Sequence, residues 1–275
     1  MITVAIANQK GGCGKTTTAV NLSACLAELG HKTVLLDLDP QAHATIGVGV
    51  DPSELKASIY EVLTAGAKVG AVLMRTRFDN LDVIPSTILL SGTDIDLVNV
   101  IGREGVLRDA VNEAKLDHDF CIIDCSPSLS VLTVNALVAS QFVLIPIQTH
   151  YYAMEGMKQL FGTIDIVKRR INRDLKVLGI LPTFLDRRTK ISKEVLDGVR
   201  EYFKERVFQT AIHSNVKLTE APSAGEPVVT YDPQSSGADD YRALAKEVLE
   251  RLSAMGRASQ AVTVPDSADF ADKAG

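Results

Sequence analysis

The chain contains 275 residues, of which 46% are hydrophobic and 23% charged, so it has enough apolar material for a packed core and is not disordered as a whole. A net charge of −5 excludes a polycation, and 5% aromatic residues without any Trp argue against a stacking platform for single-stranded nucleic acid. The N-terminus lacks the features of a signal peptide and the four cysteines form no CxxC pair, so we expect a cytoplasmic protein with reduced thiols.

Short β-branched runs alternate with helical stretches, which predicts an α/β fold with a mostly parallel twisted sheet flanked by helices on both faces. The predicted strands are Thr3–Asn8, Thr33–Asp37, Leu81–Pro85, Phe120–Asp124, Phe142–Pro146 and Leu175–Pro182. The predicted helices are Lys15–Leu29, Ile59–Ala65, Ile88–Val100, Gly105–Ala114, Ser130–Ala139, Met154–Ile171, Ser192–Glu205 and Ala238–Ser253. Periodicity ends after Ser253, so we predict one domain over residues 1–253 and a flexible tail over residues 254–275.

A glycine-rich loop connects the first predicted strand to the first predicted helix. It reads Gln9-Lys10-Gly11-Gly12-Cys13-Gly14-Lys15-Thr16-Thr17. Glycines let backbone N–H groups approach an anion, and the helix N-terminus adds partial positive charge. The pattern predicts a phosphate-binding loop in which Lys15 reaches the β- and γ-phosphates and the Thr16 hydroxyl ligates Mg²⁺. Gln9 stands where the strict P-loop pattern has its first glycine.

A second lysine, Lys10, stands at the start of this loop. It enters the loop too early to lie along the same phosphates as Lys15. Its position favours a contact across a subunit interface, with a nucleotide that the partner holds.

Two predicted strands end in acidic residues: Asp37, followed by Asp39, and Asp124. Because the carboxyl ends of parallel strands meet at one edge, these carboxylates are expected to converge on the phosphate loop. The apolar run that closes on Asp124 is typical of a Walker B acid, which holds Mg²⁺ directly or through water. Asp39 is then the candidate to orient the attacking water. Each aspartate can alternatively cap a turn at the end of its strand.

These motifs, in this order, resemble those of the deviant Walker A ATPases, most closely the ParA/Soj branch of the ParA/MinD family. The resemblance covers nearly the whole ordered chain. It continues downstream of the loop in Asp37–Gln41, Ile122–Ser128, Tyr151–Gly156, Leu185–Thr189 and Asn215–Ser223.

The resemblance implies a P-loop ATPase with ATP and Mg²⁺ as cofactors, which forms a homodimer around two sandwiched ATP molecules. Lys10, Lys15 and Asp39 would be catalytic, and Thr16, Asp39 and Asp124 would serve the metal. The expected nucleotide contacts are Lys10, Gly11, Gly12, Cys13, Gly14, Lys15, Thr16 and Thr17, with Thr183, His213 and Asn215 on the adenine side.

Residues 158–217 carry 14 Lys and Arg against 7 acidic residues, an excess of seven positive charges within an acidic chain. Phosphate contacts supply non-specific affinity for DNA, and a dimer doubles their number. Arg188 and Lys217 match positions where the family contacts DNA, and Arg169 and Arg170 are further candidates. The alternative for such residues is a solvated helix face.

In this family, the ATP-bound dimer binds double-stranded DNA without sequence preference on the nucleoid. A centromere-binding ParB/Spo0J-type partner then stimulates hydrolysis and release. The implied function is chromosome or plasmid partition. A MinD-like ATPase needs a basic amphipathic C-terminal helix, which the tail lacks, so no membrane partner is expected. A Soj-like regulator of replication initiation would use the same chemistry and stays open, as do other cargoes.

An iron-protein-like reductase is a further alternative. It would need cysteines from both subunits around a shared iron–sulfur cluster. The region 84–105 contains none, and Cys125 directly follows Asp124. The cysteine pattern therefore argues against this class.

Overall fold

The computed structural model describes residues 1–149, 155–186 and 188–261, and within these ranges seven strands form one sheet. The order across the sheet is β3-β4-β2-β5-β1-β6-β7, and all neighbours are parallel except β3 and β4. The predicted α/β class is confirmed, and all six predicted strands are present. The strands are β1 (Ile2–Ile6), β2 (Thr33–Leu38), β3 (Met74–Arg75), β4 (Leu81–Ile84), β5 (Phe120–Cys125), β6 (Phe142–Gln148) and β7 (Lys176–Thr183).

Helices connect the strands and cover both faces of the sheet. In the described ranges they are α1 (Lys15–Glu28), α2 (His43–Ile46), α3 (Ile59–Ala65), α4 (Val69–Val72), α5 (Thr93–Asp96), α6 (Val106–Ala114), α7 (Val131–Ala139), α8 (Glu155–Arg170), α9 (Lys190–Phe203), α10 (Val216–Glu220), α11 (Val228–Tyr231) and α12 (Ser236–Ala261). None of the described helices is both long and apolar enough to cross a bilayer.

Each face of the sheet has its own apolar cluster, because successive residues of a strand point to opposite sides. In β2, Val34 and Leu36 pack into the cluster that includes α6, α7 and α8. Leu35, between them, packs into the cluster that includes α1 and α12. The central strands are therefore largely apolar, and their acidic residues, Asp37 and Asp124, lie near the carboxyl edge.

The predicted helix Ile88–Val100 is wrong. The segment forms a 3₁₀ turn over Ile88–Gly92, and its α-helical part is only α5. Gly92 interrupts the segment, and glycine is a poor helix former. Several apolar side chains in the segment, Ile95 among them, face away from the core, so they provide no packing for a longer helix.

The last helix is longer than predicted. The sequence indicated Ala238–Ser253, whereas α12 runs over Ser236–Ala261 and takes in the first residues assigned to the tail. Residues 254–261 include Ala, Met, Arg and Gln, which are good helix formers. Residues 262–275 of the predicted tail lie outside the described residues. So do residues 150–154 and Arg187, which belong to two of the motifs above.

Candidate functional site

The glycine-rich loop joins the end of β1 to the start of α1, as predicted. Gly12 and Gly14 have φ values of 69° and 88°, the left-handed region that a side chain disfavours. Lys15 is the first residue of α1 and is buried, with 6% of its surface exposed. Its Nζ donates to the Lys10 carbonyl oxygen at 3.0 Å, so the ammonium group lies inside the loop.

Side chains from outside the loop hold it in shape. Asn8 Nδ2 donates to the Pro146 carbonyl at the end of β6 at 2.6 Å, and Asn8 Oδ1 accepts from the Lys10 N–H at 3.1 Å. Thr183 Oγ1, at the end of β7, donates to the Cys13 carbonyl at 2.9 Å. The loop is thus tied to two strands and has its conformation before any anion arrives.

Lys10 differs from Lys15 in its surroundings. Lys10 is exposed, and its ammonium group makes no hydrogen bond or ion pair with any part of the chain that the structure describes. One lysine of the loop is therefore held inside it and the other is presented to solvent.

Asp37 and Asp124 are direct neighbours across the β2–β5 pair. Asp37 is fully buried and accepts three hydrogen bonds: from the Asp39 N–H at 3.0 Å, and from the N–H and hydroxyl of Thr45 at 2.8 and 2.7 Å. Burial raises the pKa of Asp37 from 3.8 to about 6. Its carboxylate is occupied in anchoring the loop after β2, which agrees with the turn-capping alternative at this position.

The loop after β2 also fixes Asp39, which is 8% exposed. Asp39 Oδ1 accepts from the Gln41 N–H at 2.9 Å, and its carbonyl accepts from Ser86 Oγ at 2.6 Å. The Ser86 N–H in turn donates to Thr45 Oγ1 at 3.0 Å. Sequence reasoning missed Ser86 and Thr45. The available signal was that Ser86 follows a predicted strand and so lies at the carboxyl edge.

Asp124 is fully buried, and neither carboxylate oxygen has a hydrogen-bond partner of good geometry among the described residues. Burial raises its pKa well above 3.8, and Asp37 raises it further; the nearby Thr16 hydroxyl and Lys15 ammonium act in the opposite direction. A buried carboxylate without a partner beside a hydroxyl suits a hard cation with oxygen ligands, such as Mg²⁺.

The described residues contain no group of three or more His, Cys, Asp or Glu side chains arranged to hold a metal ion. Protein ligands alone would therefore not complete a coordination shell at Asp124. Mg²⁺ characteristically takes one or two protein ligands together with substrate phosphates and waters. The residues present fit that mode of binding.

A cavity of about 360 Å³ opens beside the phosphate loop, lined by Gly14 and Thr17 together with Thr183, His213 and Asn215. The structure thus brings the three predicted adenine-side residues to the loop. Their polar groups already make internal contacts. Thr183 binds the loop carbonyl described above, the His213 ring pairs with Asp240, and Asn215 Nδ2 donates to Ser236 Oγ. These side chains shape the cavity wall.

The four predicted DNA contacts lie at two ends of the molecule. Arg188 follows the carboxyl end of β7, and Lys217 lies in α10, which helps to line the cavity. Arg169 and Arg170 end α8, before the opposite end of β7, and the strand itself spans about 26 Å.

Arg188 and Lys217 are also both paired with acids. Arg188 makes two hydrogen bonds to the Asp186 carboxylate at 3.0 and 2.9 Å, and Lys217 Nζ donates to Glu220 at 2.9 Å. Arg169 Nε donates to the backbone carbonyl of Asp165. Because a carbonyl carries no net charge, this contact does not neutralise the positive charge of Arg169. All four side chains remain at the surface or half-buried.

Known proteins resemble most of the chain. A family model described as an AAA domain matches residues 1–177. The chain is 49% identical over 245 residues to the sporulation initiation inhibitor protein Soj of Bacillus subtilis (strain 168), covering 89% of this chain and 97% of that protein. It is 46% identical over 248 residues to the chromosome partitioning protein ParA of Myxococcus xanthus (strain DK1622), covering 90% and 88%.

Among solved structures, that of cobyrinic acid a,c-diamide synthase from Mycobacterium smegmatis with bound ATP analog and magnesium superposes with a TM-score of 0.82. It is 36% identical, and the match covers 93% of this chain and 97% of that chain.

A phosphate loop between β1 and α1, with acidic residues ending the neighbouring strands, defines a P-loop nucleoside triphosphatase. The deviant form of the loop and the two bacterial relatives narrow the class further. The chain belongs to the ParA/Soj family of deviant Walker A partition ATPases.

Proposed function

We propose that the chain is a Mg²⁺-dependent ATPase that dimerises on ATP and partitions DNA. The observation that carries the proposal is the preformed phosphate loop beside a buried carboxylate, Asp124, whose oxygens have no hydrogen-bond partner of good geometry among the residues that the structure describes. A solved relative binds an ATP analog and magnesium, and a 46% identical relative is a chromosome partitioning protein. Together they favour ATP as the nucleotide and partition as the process.

The Thr16 hydroxyl and the Asp124 carboxylate would hold Mg²⁺. When bound, the ion supplies positive charge that offsets the negative charge on the phosphates. Asp39 was also predicted to serve the metal. Because Asp39 Oδ1 accepts from Gln41 and the backbone is fixed by Ser86, we assign Asp39 to the attacking water.

Phosphoryl transfer depends mainly on positioning. Lys15 would leave the Lys10 carbonyl and bind the β- and γ-phosphates, while the N–H groups of the loop bind their oxygens. Asp39 would accept a hydrogen bond from the water and orient it for in-line attack on the γ-phosphorus. Products are ADP and phosphate.

The exposed ammonium group of Lys10 supports the dimer part of the proposal. It has no partner in the described chain, and it lies at the edge where a bound triphosphate would be open to solvent. A second molecule docked on this edge would bring its own Lys10 to the nucleotide. The homodimer would then form only when ATP is bound.

DNA binding would follow from the dimer, because two copies of Arg188 and Lys217 double the number of phosphate contacts. Both side chains can exchange a partly exposed carboxylate for a DNA phosphate, since ion pairs near the surface contribute little to stability. A centromere-binding ParB/Spo0J-type protein would stimulate hydrolysis, and release of DNA would return the protein from the nucleoid to the cytoplasm.

The nucleotide switch is tested with Lys15→Ala and Asp39→Ala. We expect the first to abolish ATP binding, because the phosphates lose their buried cation. We expect the second to bind ATP and to accumulate as a dimer, because hydrolysis is blocked. Nucleotide titration measures ATP binding, and size-exclusion chromatography with ATP and Mg²⁺ measures dimerisation, with Lys68→Ala at an exposed lysine as the control. An Asp39→Ala protein that binds ATP and stays monomeric would contradict the proposal.

The DNA contact is tested with Arg188→Glu. We expect ATP-driven dimerisation to be kept and retention on random-sequence duplex to weaken, with a smaller dependence on salt because fewer counterions are released. Arg108→Glu is the matched control, since Arg108 also pairs with an acid beside it in the sequence, Asp109. Equal DNA retention by the two variants across a salt series would remove Arg188 from the interface.

A further inference from the structure

A groove of about 1310 Å³ lies between α8 and the end of α9, and none of its lining residues belongs to the phosphate loop. Three aromatic rings line it. Phe161 of α8 stacks on Phe203 with ring centroids 5.8 Å apart, and Tyr202 meets Phe203 edge-on at 4.7 Å. Tyr202 is 66% exposed. We call this feature the aromatic groove. Its aromatic side chains are of the kind enriched in binding surfaces.

One of the residues that line the aromatic groove is a glycine, Gly162, in the interior of α8. Glycine disfavours a helix more than any residue except proline, so a glycine at this position calls for a packing reason. A Cβ built at Gly162 would point into open space, with no atom beyond its immediate helical neighbours within 4 Å. No element of the described chain therefore requires a glycine here. A segment lying in the groove would, because it could approach the backbone of α8 closely.

The groove also carries charge. Lys158, Lys204 and Arg206 line it, and none of them forms an ion pair within the part of the chain that the structure describes. Asp165 and Glu205 line it as well, so the formal charge of the lining is +1. An acidic segment with an aromatic side chain would fit this surface in both charge and chemistry.

The chain itself contains such a segment in residues 262–275. These residues include three aspartates, one lysine and one aromatic residue, Phe270, so their formal charge is −2. They follow α12, which passes the edge of the groove, since Arg251 Nη1 donates to the Glu205 carbonyl at 3.2 Å. Ala261 lies about 15 Å further along the helix. The fourteen residues beyond it span up to about 46 Å when extended, which is enough to return to the groove.

We propose that residues 262–275 bind in the aromatic groove of the same molecule. Phe270 packs against the rings of Phe161 and Tyr202, and the neighbouring aspartates pair with the basic side chains of the lining. A tethered segment is present at a high effective concentration, so contacts too weak to hold a free peptide suffice. Binding of this kind needs neither nucleotide nor a dimer, and it closes the groove to other partners.

The test uses Phe270→Trp in the full-length chain, because the natural sequence contains no tryptophan and the introduced indole is then the only one. Acrylamide quenching of its fluorescence measures how far the ring is covered. We expect a quenching constant about threefold lower than that of a free peptide of residues 262–275 with the same substitution, because the ring is buried in the groove. Adding Gly162→Leu, which fills the groove, should restore the peptide value. Gly198→Leu is the matched control, since this glycine of α9 also faces open space, and it should keep the protection.

Each other outcome overturns the proposal in a different way. If the indole of Phe270→Trp is quenched as readily as in the peptide, the groove is left to a different partner. If protection survives Gly162→Leu, the ring is covered elsewhere on the molecule. If protection is lost on dilution, the segment binds the groove of a second copy. Thermal melting checks the fold, and if Gly162→Leu is unstable, Lys158→Glu at an exposed lysine decides by the same criterion.

Discussion

Replacing Asp124 with Asn removes a negative charge from the centre of the carboxyl edge without changing the size of the side chain. In the nucleotide-free protein this carboxylate is fully buried, has no hydrogen-bond partner of good geometry in the described part of the chain, and neighbours Asp37 across the sheet. A buried polar group without a partner costs about 1–3 kcal/mol, and more when it is charged. The Asn amide removes only the part of that free-energy cost that comes from the negative charge. We therefore expect Asp124→Asn to raise the free energy of unfolding of the nucleotide-free protein by on the order of 1–2 kcal/mol.

The same substitution should have the opposite effect when ATP and Mg²⁺ are present. A ligand at one hundred times its dissociation constant adds about 2.7 kcal/mol to the stability of the folded state. Asp124→Asn should lose the part of this gain that depends on Mg²⁺, because the amide supplies no negative charge to the ion. The nucleotide itself is still bound by the loop and Lys15.

Differential scanning fluorimetry measures both effects in a matrix of protein, ATP and Mg²⁺. For a domain of 150–250 residues, 1 kcal/mol corresponds to a change of about 2–4 °C in Tm. Asp79→Asn, at an exposed aspartate between β3 and β4, is the control and should melt as the wild type does in every condition. A nucleotide-free Asp124→Asn that melts at or below the wild-type temperature would refute the burial argument. If Mg²⁺ raises the Tm of ATP-bound Asp124→Asn as much as it raises that of the wild type, the assignment of Asp124 to the metal is refuted.

Three further predictions follow from the geometry of the loops. Ser86→Ala should lower ATP turnover about tenfold and leave ATP affinity unchanged within twofold, because it removes the hydrogen bond that holds the Asp39 carbonyl, and it should cost about 1 kcal/mol in stability. Phosphate release measures the turnover and nucleotide titration the affinity; unchanged turnover would contradict the prediction. Gly14→Ala should destabilise the fold by about 1–2 kcal/mol, because φ is 88°, whereas the control Gly198→Ala within α9 should be neutral or stabilising in urea unfolding. Burial raises the pKa of Asp37 from 3.8 to about 6, so the folded state binds that proton more tightly than the unfolded chain does. Its contribution to the free energy of unfolding should therefore fall by about 2 kcal/mol as the pH rises from about 4 to about 6, and by about 3 kcal/mol from well below pH 4 to well above pH 6. A series of urea denaturations measures the slope, and Asp37→Asn should flatten it.

The parts of the site that sequence reasoning located are those encoded within a few residues. A strand, a run of glycines, a lysine and a helix follow one another in the sequence, and this order predicted the position of Lys15 correctly. Each of these features depends on local backbone geometry. Asp124 was located for a similar reason, since an apolar run ends at it and parallel strands share a carboxyl edge. Thr183 followed from the family resemblance, and the structure places it against the loop backbone.

The parts that were missed depend on contacts between distant residues. Ser86 meets the Asp39 carbonyl only because β4 lies next to β2, and nothing in either segment alone indicates that contact. Counting charges along residues 158–217 placed Arg170 and Arg188 in one group, whereas β7 separates them. The helix predicted over Ile88–Val100 is wrong because a long helix needs an apolar face packed on the core, and several apolar side chains of this segment face solvent.

Helix α12 connects the cavity wall to a distant part of the molecule. At its start Asp240 pairs with His213, Ser236 accepts from Asn215, and the Tyr241 hydroxyl lies 3.3 Å from that of Thr18 in α1. Its 26 residues extend over about 39 Å, so its far end is remote from the phosphate loop and the cavity beside it. A fluorophore attached beyond Ala261 would therefore report the position and tumbling of the molecule without crowding that cavity. A truncation that removed α12 through Tyr241 would take one side chain from the lining of that cavity and would remove the hydrogen-bond partners of His213 and Asn215.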